Sequence, residues 1–389
     1  MAKEKVNKKS KKDSNEPVDI LSLIAGDYAK NRAGKMDQKK CIQMVKCIFS
    51  SANRAFGGAI PTSCTMVLQG PTYGGKTALA QAILKGFVEE GHTGIFVDAE
   101  KGVHETEEKK SWYRILLGEE NYGKVMYFRP KTHEDCSNNV DYWMLNFAEK
   151  RKEGKIPKNK CLCIVVDSVT ALVPEEIFKL IKTKEAVGKA NFGKQAALNS
   201  QWIQLANSII GSDDITESTN ILLIFIMQER SKMDAGKFEE KFKGTGGEAI
   251  PFYSTISVRV TPSGAIKEGS KDKEKRVGKR HKFTIRKNRI GISDEEGYFY
   301  TSNGKGMIPL GLDLVREAVT EAIEREIIKK NGSDVRLFGE KYHGEPELIR
   351  ELFEKEELFK KLKNALDNNF AGTYEIDKIE ESKKKKKVK

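Results

Sequence analysis

The chain has 389 residues, of which 38% are hydrophobic and 32% charged, and its formal net charge is +13. This length allows two or three domains with a substantial core, and the longest apolar run, 221–227, is far shorter than the roughly 18 residues of a membrane span. No apolar segment follows the lysine-rich N-terminus, so neither a secretory signal nor a membrane partner is expected.

The positive charge is concentrated at the two ends. Residues 1–12 carry a net +5 and residues 383–389 carry +6, which leaves +2 for the chain between them. Lysine tails attract nucleic-acid phosphates without specificity, although a solubilising tail or a nuclear-import signal has the same composition. The six cysteines (41, 47, 64, 136, 161 and 163) show no CxxC spacing. They are therefore expected to be reduced thiols in a cytoplasmic protein, with a nucleus-like compartment left open.

Two helices are predicted before the first long strand. Residues 18–35 have apolar positions near helical spacing and form a short helix that stands apart from the core. Residues 41–56 are predicted to form a second helix, and the sequence FGGAIP after it predicts a turn.

Apolar strands alternate with helices from residue 65 to about residue 300. This alternation predicts an α/β fold with a mostly parallel central sheet that helices cover on both faces. The predicted strands are 65–69, 93–99, 124–130, 161–167, 220–227, 255–260 and 282–288. The charged loop 268–276 separates the last two, which are expected to extend the sheet in antiparallel fashion. Residues 309–368 are predicted to be helical, with no further strong strand pair, and form a candidate small C-terminal domain.

The sequence GPTYGGKT at 70–77 matches the phosphate-binding P-loop pattern G-x-x-x-x-G-K-[ST]. It lies between an apolar strand and a predicted helix over 78–90, which makes a chance glycine-rich turn the weaker interpretation. Glycines let the backbone direct its N–H groups at a phosphate, and the N-terminal end of the helix attracts the same anion. Lys76 can reach the β- and γ-phosphates, and Thr77 can offer its hydroxyl to Mg²⁺. The predicted loop residues are Gly70, Pro71, Thr72, Tyr73, Gly74, Gly75, Lys76 and Thr77.

Polar residues follow three of the predicted strands, at the sheet edge where α/β proteins bind ligands. Asp167 has the Walker B placement, where a carboxylate orients the water shell of Mg²⁺, although it could instead cap the next helix. Asp98 and Glu100 follow another strand, and Glu100 could polarise a water toward the γ-phosphate. Gln228 could hydrogen-bond to the γ-phosphate, or it could simply end a buried strand.

These stretches together resemble the RecA family of homologous-recombination ATPases. GPTYGGKT, FVDAEKG, IVVDSVTALVP, LLIFIMQER and GTGGEAIPFY occur in the family's order and with comparable spacing. KNRIG (287–291) is similar to the family's cationic strand end, and the helix at 18–35 occupies the place of its oligomerisation helix. The resemblance implies a basic tail at 1–16, an N-terminal oligomerisation segment at 17–60, a RecA-like P-loop ATPase core at 61–305, a small C-terminal α/β domain at 306–372 and a basic tail at 373–389.

The resemblance also implies roles for individual residues. ATP and Mg²⁺ are the implied cofactors: the P-loop would bind the triphosphate, Thr77 would bind the metal, and Asp167 would bind it through water. Glu100 would be the catalytic base or water-positioning carboxylate, and Gln228 would couple the γ-phosphate to the segment after it. Tyr113 matches an aromatic residue that stacks on adenine, although a core tyrosine is an open alternative. Lys287 and Arg289 match cations that reach into the ATP site of the neighbouring subunit.

Two charged segments match the family's DNA-binding loops. The first runs from Glu229 to Gly247 and the second from Glu175 to Phe192, although a solvated charged face is the alternative for both. The implied DNA-binding residues are Arg230, Lys232, Lys237, Phe238, Lys241, Phe242, Lys243, Gly246 and Gly247 in the first, and Lys184 and Lys189 in the second.

The implied function is that of an ATP-dependent recombinase. Such a protein forms a homo-oligomeric helical filament on single-stranded DNA and pairs it with homologous duplex DNA. A hexameric helicase or translocase on the same core, and an ATP-binding recombination mediator, are the alternatives. The sequence departs from the family at Glu248, Pro251 and Arg289, and its C-terminal tail is basic where bacterial members are acidic.

Overall fold

The computed structural model describes residues 42–106, 108–182, 192–211, 219–231, 242–244, 249–269 and 273–368. The strands are β1 (Met44–Val45), β2 (Ile60–Pro61), β3 (Cys64–Gly70), β4 (Thr93–Asp98), β5 (Val125–Phe128), β6 (Leu162–Asp167), β7 (Ile221–Ser231), β8 (Phe242–Gly244), β9 (Ile256–Glu268), β10 (Lys275–Asn288), β11 (Glu296–Ser302), β12 (Gly311–Leu312), β13 (Lys329–Asn331), β14 (Asp334–Leu337) and β15 (Glu340–Tyr342). The helices are α1 (Ser50–Ala55), α2 (Lys76–Glu89), α3 (Trp112–Leu117), α4 (Glu119–Tyr122), α5 (His133–Lys152), α6 (Glu175–Lys182), α7 (Phe192–Ile210), α8 (Ala249–Tyr253), α9 (Leu314–Glu324), α10 (Glu345–Glu354) and α11 (356–368).

One large sheet organises the described chain. Its strand order is β12-β11-β10-β9-β3-β7-β6-β4-β5, with β8 paired to β7. The strands from β9 to β5 in this order are parallel, whereas β10, β11 and β12 continue the sheet in antiparallel fashion. This confirms the predicted α/β class, the mostly parallel sheet and its antiparallel extension.

Helices cover both faces of the sheet, as the continuous apolar strands predict. On one face, α2 presents Leu79, Ile83 and Phe87, which are spaced one helical turn apart and fully buried. On the other face, α5 and α7 contribute residues such as Met144 and Ile203. Within the described residues, no helix combines the length and the apolar character that a bilayer span requires.

Three strand predictions were wrong in extent. β7 runs to Ser231, β9 runs on to Glu268 and β10 begins at Lys275, so the hairpin of β9 and β10 reaches both ends of the predicted loop 268–276. β11 was not predicted. The outer part of the hairpin, 262–268, is largely exposed and has no apolar alternation, so the period-two pattern that indicates a strand is absent there.

The predicted helix at 41–56 was also wrong in part. Within 42–56, the described part of this segment, the chain first forms β1, which pairs with β2, and only Ser50–Ala55 is helical. The side chain of Asn53 accepts from Cys47 N at 2.8 Å and donates to Cys47 O at 2.8 Å. This closed pair satisfies the Cys47 backbone outside a helix, so the helix begins later than the apolar pattern suggests.

The C-terminal segment contains a small sheet that the helical prediction missed. β13, β14 and β15 form an antiparallel sheet between α9 and α10. The strands are short and their outer residues are charged, so they contain no apolar run. The second turn has positive φ at both Phe338 (52°) and Gly339 (90°), which matches a tight hairpin turn. The predicted helix at 18–35 lies outside the described residues.

A buried carboxyl group lies where α5 packs on α7. Trp202 Nε1 donates to Asp141 Oδ1 at 3.1 Å, and burial raises the pKa of Asp141 from its usual 3.8 to about 7, with this hydrogen bond opposing the shift. On the same helix, His133 Nε2 contacts Asn199 Oδ1 at 2.9 Å, and burial lowers the pKa of His133. The two groups therefore affect stability in opposite directions as the pH changes.

Asp141→Asn is expected to flatten the pH dependence of stability. The folded chain holds the Asp141 proton more tightly than the unfolded chain, so this carboxyl group makes the free energy of unfolding fall as the pH rises from about 4 to about 7. Urea unfolding at several pH values should show the smaller slope in Asp141→Asn, and a higher stability than the wild type at alkaline pH. Glu149→Gln, at an exposed position of α5, is the control, and His133 is unchanged in both variants. A wild-type slope in Asp141→Asn would mean that Asp141 is not protonated in the fold.

Candidate nucleotide-binding site

The predicted phosphate-binding loop turns from β3 into α2 under tight packing. A Cβ atom on Gly70 would lie 1.9 Å from Val260 O, and one on Gly74 would lie 2.7 Å from the same oxygen. Gly75 has φ of +102°, and its Cβ would lie 2.6 Å from His281 Nδ1. The loop therefore requires glycine at these positions because β9 and β10 pack directly against it.

Lys76 begins α2 and is 7% exposed. Its ammonium group donates to Gly70 O at 3.0 Å and to Pro71 O at 2.8 Å. Burial lowers the pKa of Lys76, and the carboxylates of Asp167, Glu100 and Glu229 oppose that shift. The cation is thus held at the mouth of the loop, within the field of three acidic groups.

Thr77 and Asp167 meet beside Lys76. Thr77 Oγ1 donates to Asp167 Oδ2 at 2.7 Å, which joins the start of α2 to the end of β6. Burial raises the pKa of Asp167 to about 7, as does the nearby Glu100 carboxylate, and the Thr77 hydroxyl opposes both. A hydroxyl and a carboxylate at this distance form a set of hard oxygen donors.

Glu100 lies where three strand ends converge. The backbone N–H groups of Ala99 and Glu100 donate to Asp167 O at 2.8 and 3.1 Å. The end of β6 therefore fixes the start of the loop that follows β4. The carboxylate Oε1 of Glu100 accepts from Ser168 Oγ at 2.6 Å and from Gln228 Nε2 at 2.9 Å. A residue just after β4, one just after β6 and one in β7 are therefore linked at one exposed carboxylate.

Asp98 has a structural position rather than one in the site. It is fully buried and accepts from the backbone N–H groups of Gly102 and Val103 at 2.9 and 3.1 Å. Tyr127 Oη also donates to it at 2.7 Å, and Arg129 pairs with it at 3.4 Å. Asp98 thus shapes the loop that carries the neighbouring carboxylate.

Tyr113 and Trp112 lie on α3, at the side of the cavity into which the phosphate-binding loop opens. Tyr113 is 7% exposed, and its ring centroid lies 4.7 Å from that of Phe96. Its hydroxyl lies 3.4 Å from Asp167 Oδ2, and burial raises its pKa. The packing fits the core-tyrosine alternative, while the position at the cavity wall fits the adenine-stacking role, which stays a prediction.

The loop opens into a cavity of about 490 Å³, large enough for a nucleotide. Its wall includes predicted residues of the loop, together with Glu100, Tyr113, Asp167 and Gln228. The opposite wall, which the sequence analysis missed, comes from β10, β11 and nearby residues: Arg276, Gly278, Lys279, His281, Thr301, Ser302, Asn303 and Leu310. These strands are distant in sequence and match no motif, and only their place in the sheet brings them here.

The donor set fits a magnesium ion bound partly by a nucleotide. Among the described residues, no group of three or more His, Cys, Asp and Glu side chains could hold a metal. Mg²⁺ beside a P-loop needs fewer protein ligands than such a group supplies, because phosphates and water complete its octahedral shell. The Thr77 hydroxyl and the Asp167 carboxylate are suitable protein contributions.

The structure does not bring Lys287 and Arg289 to this cavity. Lys287 in β10 lies opposite Ser257 in β9, which in turn lies opposite Val67 in the middle of β3, before the P-loop begins at Gly70. The Lys287 ammonium group donates to Phe252 O at 2.6 Å, and burial lowers its pKa, as does Arg289. Both cations therefore lie away from the P-loop of their own chain, and Arg289 is exposed.

The predicted DNA-binding segments are described only in part. Residues 175–182 are helical rather than a loop, because acidic residues in the first turn favour a helix start. The backbone at 229–231 and 242–244 is strand, with Arg230 opposite Lys243 and Ser231 opposite Phe242. The remaining predicted contacts lie outside the described residues: Lys184, Lys189, Lys232, Lys237, Phe238, Lys241, Gly246 and Gly247.

Comparison of this chain with known proteins finds a matching family model and several relatives that have RecA in their names. The family model described as the RecA N-terminal domain matches residues 147–307. The chain is 30% identical over 327 residues to DNA repair protein recA homolog 3, mitochondrial, of Arabidopsis thaliana, covering 82% of this chain and 67% of that protein. It is 28% identical over 338 residues to protein RecA of Chlamydia muridarum, covering 86% and 84% of the two chains. It is also 28% identical over 319 residues to protein RecA of Gloeobacter violaceus, covering 81% and 75%.

The matches to these relatives span most of the sequence. Each of the three covers more than four-fifths of this chain, and the identity reaches 30% with a relative of which two-thirds is aligned. The implied family is therefore confirmed, and the chain belongs to the RecA family.

Proposed function

We propose that this chain is an ATP-dependent DNA recombinase that forms a helical filament on single-stranded DNA and exchanges strands with a homologous duplex. The observation that supports this most is the contact between Gln228 Nε2 and Glu100 Oε1 at 2.9 Å. It joins the nucleotide cavity to the strand that leads into the first predicted DNA-binding segment. Relatives named as RecA and DNA repair proteins support the same assignment.

In this proposal the residues of the cavity divide the work of ATP hydrolysis. The N–H groups of the loop and the Lys76 ammonium would bind the phosphates, and Thr77 and Asp167 would hold Mg²⁺, the latter through water. When bound, the metal supplies positive charge that neutralises the phosphate oxygens. Glu100 would accept a hydrogen bond from the attacking water, and Tyr113 would contact the base.

Gln228 would report the presence of the γ-phosphate. Its backbone lies in β7 opposite Gly70, the first residue of the P-loop, and its side chain contacts Glu100. A shift of this amide from Glu100 to a phosphate oxygen would change the end of β7. The residues after it, Lys232 to Lys243 among them, would bind the phosphates of single-stranded DNA, and Phe238 or Phe242 would stack on bases. Lys184 and Lys189 would contribute from the second segment.

Lys287 and Arg289 would complete the site of the neighbouring copy. Their place away from their own P-loop suits cations that act across an interface. A cation that contacts the γ-phosphate only between copies makes ATP binding and assembly interdependent, and it stabilises charge in the transition state.

Arg289→Ala is expected to lower the cooperative ATPase activity on single-stranded DNA by at least about tenfold, while the folding of the monomer is nearly unchanged. Arg289 is exposed in the isolated chain, so its removal costs little packing. ATPase rates against protein concentration and urea unfolding measure the two effects. Arg286→Ala, at an exposed position of β10 just before Arg289, is the control. Equal losses in both variants, or none in Arg289→Ala, would contradict the role across the interface.

A strand-exchange assay tests the proposed function. The substrates are a circular single strand and a homologous linear duplex, with and without ATP. The proposal predicts joint molecules and then exchanged products only with ATP and homology, together with helical filaments by electron microscopy. Closed rings that unwind the duplex without pairing would indicate a helicase instead. ATP binding without hydrolysis or exchange would indicate a mediator.

A further inference from the structure

One histidine lies directly beneath the phosphate-binding loop and has no part in the proposed hydrolysis of ATP. His281 is on β10, is 3% exposed, and stacks on Phe299 with ring centroids 4.9 Å apart and 17° between the planes. Its Nδ1 lies 2.7 Å from Gly74 O, and its Nε2 lies 2.9 Å from Thr301 Oγ1. Both ring nitrogens therefore have a partner, one in the P-loop and one on the neighbouring strand β11.

The chemistry of these partners fixes the tautomer. A backbone carbonyl can only accept, so the proton must lie on Nδ1, where it is donated to Gly74 O. Nε2 then has to accept, and the Thr301 hydroxyl is the donor. Burial lowers the pKa of His281 to about 4, so the ring is neutral near pH 7 and only one nitrogen carries a proton. Removal of the Thr301 hydroxyl would allow the other tautomer, which has no proton to offer Gly74.

The loop needs this hydrogen bond because a P-loop binds phosphate with N–H groups, and a carbonyl turned toward the anion would repel it. Lys76 binds the carbonyl oxygens of Gly70 and Pro71, and His281 binds that of Gly74. The imidazole also forms the floor of the turn, since a Cβ on Gly75 would lie 2.6 Å from Nδ1. The third carbonyl is thus held by a side chain that lies outside the loop.

We propose that His281 is a positioning residue for nucleotide binding: its Nδ1–H holds the Gly74 carbonyl away from the phosphate site, and Thr301 fixes the tautomer that makes this possible. The inference rests on the proposed nucleotide site and adds to it the antiparallel strands β10 and β11 as a support for the loop.

Four variants separate the hydrogen bond from simple packing. His281→Phe keeps an aromatic ring on Phe299 but has no donor, whereas His281→Asn places an amide N–H near the position of Nδ1 without the ring. Thr301→Val removes the hydroxyl at nearly constant volume, and Thr301→Ser retains it. The readouts are the Kd for a fluorescent ATP analogue, the split between KM and kcat for ATP on single-stranded DNA, and the midpoint of urea unfolding.

His281→Phe is expected to weaken binding of the analogue by roughly tenfold, because a buried carbonyl loses its donor. KM for ATP should rise by a similar factor, while kcat at saturating ATP stays within about twofold. His281→Asn should bind the analogue with most of the wild-type affinity. Thr301→Val should bind the analogue more weakly than Thr301→Ser does.

Two results would overturn the inference: wild-type affinity in His281→Phe, or equal losses in His281→Phe and His281→Asn, since the second result would assign the effect to the ring. If His281→Phe does not fold, the comparison of Thr301→Val with Thr301→Ser decides, and equal affinities there contradict the role. A wild-type chain that does not bind the analogue would instead overturn the proposed function, and this inference with it.

Discussion

Glu100→Gln is expected to lower ATP hydrolysis on single-stranded DNA by about 10²- to 10⁴-fold while ATP and DNA binding persist. The carboxylate is exposed to the cavity, and Ser168 and Gln228 hold it by hydrogen bonds of 2.6 and 2.9 Å. Glutamine keeps the size of the side chain but cannot take up a proton from the attacking water. Filaments that form with ATP should therefore persist much longer than those of the wild type.

Steady-state ATPase rates and the lifetime of filaments in electron micrographs measure this effect. Glu120→Gln is a suitable control, because Glu120 is exposed on α4 and does not line the cavity. Hydrolysis at the wild-type rate in Glu100→Gln would show that another group positions the water.

Lys76→Ala is expected to weaken ATP binding by about 100-fold or more and to abolish nucleotide-dependent filaments. The ammonium group is buried at the mouth of the loop, where it contacts two backbone carbonyl oxygens. Its loss removes the positive charge that would meet the phosphates, and it leaves Gly70 O and Pro71 O without this donor. The acidic groups Asp167 and Glu100 would then repel the triphosphate without the Lys76 charge to offset them.

Titration with a fluorescent ATP analogue, and microscopy with a non-hydrolysable analogue and single-stranded DNA, measure the two losses. Lys85→Ala is the matched control on the same helix, since Lys85 does not line the nucleotide cavity. Its Nζ atom lies 3.8 Å from Glu89 Oε1. Urea unfolding shows whether either variant alters the fold. Filaments of Lys76→Ala that equal those of the wild type would refute the assigned role of the P-loop.

Much of the candidate site could be predicted because its signals are local. The P-loop pattern spans eight residues between a strand and a helix, and Glu100, Asp167 and Gln228 each follow an apolar run. Parallel strands bring their carboxyl ends to one edge of a sheet. These side chains therefore had to converge if the apolar runs formed neighbouring strands. The strand order β3-β7-β6-β4 makes them so.

The rest depends on contacts between distant parts of the chain. His281, Thr301 and Lys279 reach the cavity only because β9 lies beside β3 and is followed in the sheet by β10 and β11. Nothing in the local sequence indicates that order. The charged outer part of the hairpin of β9 and β10 and the short strands β13 to β15 were missed for a related reason. Their exposed faces do not alternate with buried ones over enough residues to form a pattern.

The central claim is that two copies complete each ATP site, one supplying the P-loop with Glu100 and the other supplying Arg289. Mixing the Glu100→Gln and Arg289→Ala variants tests it most directly. Each variant alone should hydrolyse little ATP on single-stranded DNA. In a head-to-tail assembly, random mixing in equal amounts creates one fully intact site in about four, so the mixture should recover roughly a quarter of the wild-type rate. A mixture that forms joint filaments yet hydrolyses ATP no faster than the average of its components would contradict the claim.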